Sequence, residues 1–198
     1  MKKLLLLLVF LLVGIGCVPR TALHYYIHAD GKTIEVKYYP IYVDRDFGDA
    51  DKVAIAQAVE QWNFSLNGQV RLAVVDWNFM MEPSVLKENA WYILRVNSAC
   101  TFKPPDTPTD RTLAWANKLG GNYIYIIRDR LWNDDVKGIT MHELGHLLGS
   151  DHVGTYLMYY RFNRNRYDCV DYASAESVGK ALHLNGSALN YCLHESGQ

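Results

Sequence analysis

The hydrophobic pattern along the sequence changes period several times, and each change marks an element. From Thr33 to Val43 (TIEVKYYPIYV) β-branched and aromatic residues crowd together, which predicts a strand. At Asp49 the period becomes helical. Val53, Ala56, Val59 and Trp62 or Asn63 recur at steps of three and four, acidic residues sit at the start, and Asn67-Gly68 closes the helix. Apolar runs predict strands near 69–77 and 90–97, and the prolines between Lys103 and Asp110 predict a loop. Shorter strands near 112–116 and 122–128 flank Gly120-Gly121. A helix follows from about Asp135 to Leu148, stopped by Gly149, and a last helix spans about 171–184. Five strands and three helices in this order do not alternate as a doubly wound fold does. The expectation is an α/β chain of the α+β type, with a mixed five-stranded sheet.

The first residues obey a different rule. Met1-Lys2-Lys3 is basic, and Leu4 to Gly16 is apolar but shorter than the 18 or more residues that span a bilayer. Residues 1–17 therefore read as an export signal, with an uncleaved N-terminal anchor as the alternative. Residues 18–32 read as an N-terminal segment, and 33–198 as the single domain that follows it. Cys17 follows Gly14-Ile15-Gly16, which resembles the lipobox of bacterial lipoproteins, although Gly14 stands where that family usually has Leu. The protein is thus expected outside the cytoplasm, either anchored to a membrane through lipidated Cys17 or secreted. Export favours disulfides among Cys100, Cys169 and Cys192. Cys169 and Cys192 bracket the last helix and are the favoured pair, though spacing alone leaves the pairing open.

Composition narrows the function classes. Apolar residues make up 49% and charged residues 21% of 198, enough for a core. A net charge of -1 lacks the basic footprint of a nucleic-acid binder, so no nucleic-acid partner is expected. No internal repeat is visible.

The chemistry concentrates in HELGHLLGSDH, residues 142 to 152. On a helix, residues four apart share a face, so His142 and His146 can present two imidazole nitrogens to one ion. Zinc takes such ligands in tetrahedral geometry, and catalytic sites keep one position open for water. Glu143 projects near that open position, where it can act as general base. Gly149 permits a left-handed turn, and His152 returns as third ligand. His24, His28, His183 and His194 have no such spacing and read as surface or packing residues.

This extended motif resembles the metzincin clan of zinc peptidases, and Leu157-Met158-Tyr159-Tyr160 sits where the clan has its Met-turn. Within the clan, Val36 to Trp62, Thr112-Leu113-Ala114-Trp115-Ala116 and Gly120-Gly121-Asn122 are similar to the opening strand and helix, the edge strand and the Gly-Gly-Asp segment of matrixins, here of a bacterial or phage type. The resemblance implies a twisted five-stranded sheet with a long helix, an active-site helix and a C-terminal helix. It implies a zinc endopeptidase with one Zn(2+) per chain, acting on a protein or peptide. Leu113, Ala114, Trp115 and Ala116 match the edge-strand segment that binds substrate backbone in antiparallel fashion. Tyr160 stands where matrixins have Pro and where astacins and serralysins have Tyr near the metal, so it is a candidate catalytic residue; a packed Tyr is the alternative. No cysteine-switch motif precedes residue 30, and no second His/Asp set resembles a structural zinc site. The rival classes are a non-catalytic binding module on the same scaffold and a hydrolase of small amides.

Overall fold

The computed structural model describes residues 23–29, 32–80, 89–98, 112–116, 122–163 and 168–193. Residues 1–17, expected to be an export signal, with Cys17, Cys100, the expected loop at 103–110, Gly120-Gly121, residues 164–167 and His194 lie outside the described residues.

Among the described residues there are six strands and three α-helices. They are β1 (Leu23–Ala29), β2 (Lys32–Asp44), α1 (Asp49–Leu66), β3 (Val70–Phe79), β4 (Trp91–Val96), β5 (Ala114–Ala116), β6 (Tyr123–Ile127), α2 (Asp135–Leu147) and α3 (Tyr172–Ala181). The five expected strands form a mixed sheet in the order β3-β2-β4-β6-β5. Neighbours are parallel except β5, which runs antiparallel along β6 at the edge. The sixth strand, β1, falls in the segment ahead of residue 33. It pairs antiparallel with the first half of β2, from Leu23↔Tyr38 to Ala29↔Lys32. At 13 residues, β2 is long enough to pair with β1 and then with β4 along one side while β3 occupies the other.

Alternation along the strands separates the two faces of the sheet. Ile41, Val43, Ile93, Ile124 and Ile126 point toward the helices and are buried with Trp62, Leu144 and Met158. The opposite face carries an aromatic row. Tyr42 stacks on Tyr92, Tyr92 on Tyr123, and Tyr125 on Trp115, with ring centroids 5.4 to 5.9 Å apart.

The buried face of α1 keeps Val59, Trp62 and Asn63 of the expected stripe but turns away from Val53. Val53 is 58% exposed, and the stripe against the sheet is Ile55, Ala58, Val59, Trp62 and Leu66. Both stripes have helical spacing, but this one carries the larger apolar volume and therefore takes the core. Trp62 and Asn63 tie α1 to its neighbours. Trp62 Nε1 donates to Met141 O at 2.8 Å, joining it to α2. Asn63 takes the Leu72 N–H at 2.8 Å and donates to Leu72 O at 2.9 Å, which pins it to β3. Left-handed Asn67 (φ 46) ends the helix, with Gly68 also at positive φ.

The Cys169–Cys192 disulfide, the pair favoured from the sequence, closes across α3 with Cα atoms 6.3 Å apart. Among the described residues no helix is long and apolar enough to cross a membrane.

Candidate metal centre

The site is built on the second half of α2 and the turn that follows it. His142 and His146 lie one helical turn apart and are each 8% exposed. Helix α2 stops in a Schellman motif: the Gly149 N–H donates to His146 O at 3.0 Å and the Ser150 N–H to Gly145 O at 2.9 Å. Gly149 has φ 98, which a side chain would strain. The turn directs the backbone across the helix, where exposed His152 meets the other two rings at centroid distances of 5.3 and 4.7 Å. One ligand atom from each of the three histidines lies within 4.8 Å of the others.

The tautomers follow from the partners. His142 Nδ1 is 2.6 Å from Leu157 O and His146 Nδ1 is 2.8 Å from Ser150 O. A carbonyl only accepts, so both Nδ1 atoms carry the proton and both Nε2 atoms present lone pairs. Those two Nε2 atoms are 3.1 Å apart. Two lone pairs that close repel unless a cation lies between them. Tetrahedral zinc at about 2.05 Å from each nitrogen would separate two ligands by about 3.3 Å. The donor set therefore fits zinc. Burial, then the charges His146 and His152 would carry, lowers the His142 pKa from 6.5 to about 3, against the Leu157 hydrogen bond. The imidazole is thereby held neutral, as ligation requires.

Met158 is fully buried and packs against Gly145 of α2. A Cβ at Gly145 would overlap Met158 Sδ and stand 3.1 Å from Trp62 Cζ2, so only glycine lets the turn pack this close to α2. The turn is tied at several points. The Val153 N–H donates to Met158 O at 2.9 Å. The Leu157 N–H donates to Asp171 Oδ2 at 3.1 Å, the Met158 N–H to Ser174 Oγ at 3.3 Å, and Ser174 Oγ to Asp171 Oδ2 at 2.6 Å. Asp171 also accepts the Ser174 N–H as the N-cap of α3. Sequence reasoning missed Asp171 and Ser174. The Asp-x-x-Ser pattern before an apolar run signals a helix start, but not that the cap also holds the turn carrying Met158.

Glu143 is 6% exposed, and burial raises its pKa from 4.5 to about 8, opposed by a hydrogen bond from the Ala116 N–H. That contact joins the helix to the edge strand. The Ile127 N–H donates to Leu113 O at 2.9 Å, so Leu113 and Trp115 turn their main-chain groups toward β6. Ala114 and Ala116 turn theirs to the open edge, consistent with the Ala116 N–H reaching Glu143. Ala114 and Ala116 pack their methyls on the core, whereas the Trp115 ring lies on the other face, stacked on Tyr125. Of these four residues, Ala114 and the carbonyl of Ala116 turn main-chain groups to the open edge, the Ala116 N–H being taken by Glu143.

Tyr160 is 57% exposed. Its ring packs on Tyr159 at 4.6 Å, and the Arg161 guanidinium lies 5.1 Å from the ring centre. Among the described residues no hydrogen bond of Tyr160 joins it to the histidines. His183, at positive φ just past α3, lies away from the triad.

Neither a protein-family model nor a curated protein matches the sequence. Among solved structures, one match is high choriolytic enzyme 1, a hatching-enzyme zinc protease from Oryzias latipes (medaka fish). Identity is 16% and the TM-score 0.35, over 59% of this chain and 46% of that one, so the match spans less than half the length of that structure.

Proposed function

We propose that the protein is a zinc-dependent endopeptidase of metzincin type, matrixin-like, that hydrolyses peptide bonds in protein or peptide substrates with one zinc per chain. The observation that carries this is the convergence of His142, His146 and His152 within 4.8 Å, with the Nδ1 atoms of two of them already donated to carbonyls. When bound, zinc supplies Lewis acidity, polarising the scissile carbonyl and acidifying water. Glu143 accepts the proton of the attacking water and passes it to the leaving amine. Its raised pKa in the metal-free protein suits a group that must both take and give a proton, and a neighbouring dication lowers that pKa into the working range. Ala114 and Ala116 bind the extended peptide through main-chain hydrogen bonds. Tyr160, exposed beside Tyr159 and Arg161, stays a candidate for transition-state contact.

The test is cleavage of an unstructured protein such as casein by the protein lacking residues 1–17. Loss of cleavage on chelation and in Glu143→Gln, with zinc retained in the variant, is the expected result. Cleavage of small amides alone would favour the second hydrolase class, and no hydrolysis by zinc-loaded protein would favour the binding module.

A further inference from the structure

The disulfide and the metal centre meet at Asp171. Cys169 lies just before it in the sequence, and Cys192 pairs with it in a parallel bridge, the Cys192 N–H donating to Val170 O at 3.0 Å. Asp171 is 5% exposed, and its carboxylate accepts the Leu157 N–H at 3.1 Å, the Ser174 N–H at 3.2 Å and the Ser174 hydroxyl at 2.6 Å. The same hydroxyl accepts the Met158 N–H at 3.3 Å. That N–H shares its peptide unit with the Leu157 carbonyl, which takes the Nδ1 proton of His142 at 2.6 Å. Asp171, the Ser174 hydroxyl, the peptide between Leu157 and Met158 and the His142 ring therefore form one chain of hydrogen bonds. It starts at a buried negative charge and ends at a metal ligand, and each bond polarises the next.

The segment after α3 depends on the disulfide for its hold on Asp171. Asn190 ties that segment to the end of α1, its N–H donating to Ser65 O and its side-chain amide to Phe64 O, both at 2.9 Å. Around Cys192, Tyr191 is 40% and Leu193 85% exposed, so little apolar burial keeps Cys192 against Val170. Without the covalent link one main-chain hydrogen bond would remain there, a far weaker tie than a bond closing a separation of 23 residues. We propose that the Cys169–Cys192 disulfide is a redox control on metal retention: closed, it holds Asp171 where the hydrogen-bond chain fixes the His142 ring, and opened, it lets Asp171 shift and the ligand loosen. The inference rests on the zinc reading of the same site. Both cysteines are half-buried, within reach of a small thiol or disulfide. The thiolate of one attacks the disulfide of oxidised glutathione, forming a mixed disulfide and releasing one glutathione thiol. The thiolate of the other then displaces the second glutathione. Two protein thiols are oxidised to one disulfide, one glutathione disulfide is reduced to two thiols that take up the two protons, and the reverse reaction opens the bond.

The experiment follows zinc loss from the loaded protein to a chromogenic chelator. It compares the disulfide form with two open forms: wild type reduced and alkylated, and Cys169→Ser combined with Cys192→Ser, neither of which brings a free thiol to bind zinc. Both open forms should lose zinc about ten- to a hundredfold faster, the range that partners behind a metal ligand supply. Asp171→Asn should lose it comparably fast, and combining it with the serine pair should add little, because both act through one chain. Ser174→Ala, which cuts the chain but leaves the carboxylate, takes the place of Asp171→Asn if that variant does not fold. Leu72→Ala, a cavity at a fully buried position on β3, should keep zinc as wild type does. Equal zinc loss with the bond open and closed, or fully additive effects of the disulfide and Asp171, would overturn the proposal. So would a loss in Leu72→Ala as large as in the serine pair, which would make the effect one of general stability. The Nδ1–H proton resonance of His142 in metal-free protein gives a second readout, expected to persist with the disulfide closed and to broaden or vanish with it open. If wild type takes up no zinc, the metal reading fails, and this resonance still decides whether the disulfide holds His142.

Discussion

Replacing Gly145 with alanine sets two effects of known size against each other. Alanine in a helix interior gains about 0.8–1 kcal/mol over glycine. Here the added methyl would overlap Met158 Sδ and press to 3.1 Å from Trp62 Cζ2. Neither neighbour can yield freely: both are fully buried, and the Trp62 indole is fixed to Met141 O. Overpacking of this kind costs about 1–3 kcal/mol, so the net change is a loss of up to about 2 kcal/mol, or a few degrees in Tm for a protein of this size. The sign should reverse once the methionine is removed. Met158→Ala alone costs about 2–5 kcal/mol through the cavity it leaves. Gly145→Ala in that background should be neutral or stabilising by up to about 1 kcal/mol, because the new methyl enters the vacated space. Melting curves of the four proteins with chelator present measure the cycle. Gly145→Ala that stabilises the parent protein, or that acts identically with and without Met158, would refute the close packing of the turn on α2.

Three further outcomes are expected. In the metal-free protein Glu143 is more easily protonated folded than unfolded, so its stability contribution is full below about pH 4.5 and lost as pH rises to about 8. Metal-free Glu143→Gln should therefore exceed wild type by on the order of 4 kcal/mol at pH 8 and by little at pH 4.5 in urea melts, and a pH-independent difference would contradict this. Reducing Cys169–Cys192, a separation of 23 residues, should cost about 2–4 kcal/mol in thermal melts, with an unchanged Tm as the failing result. Cys17→Ser should release the protein from membranes if Cys17 carries lipid, whereas simple secretion leaves fractionation unchanged.

What the sequence disclosed was mostly local. The four-residue step from His142 to His146 fixes a shared helix face, and Gly149 fixes the stop, because both depend on main-chain geometry over a few residues. The burial stripe of α1 departs from the expected one because Val53 and Ile55 both begin helical stripes, and only packing against the sheet chooses between them. Strand β1 lies in the short segment ahead of residue 33, and its pairing depends on β2 being long enough to hold a second neighbour, which no local pattern reveals. Asp171 and Ser174 act on residues 14 to 16 positions away, a range over which no periodicity signals contact.

The metal is the central claim, and its stoichiometry tests it most directly. Protein stripped with chelator, loaded with zinc, dialysed and assayed by elemental analysis should hold one zinc per chain, and His146→Ala should hold almost none under the same conditions. Wild-type protein that takes up no zinc, or His146→Ala that keeps a full equivalent, would contradict the assignment of His142, His146 and His152 as its ligands.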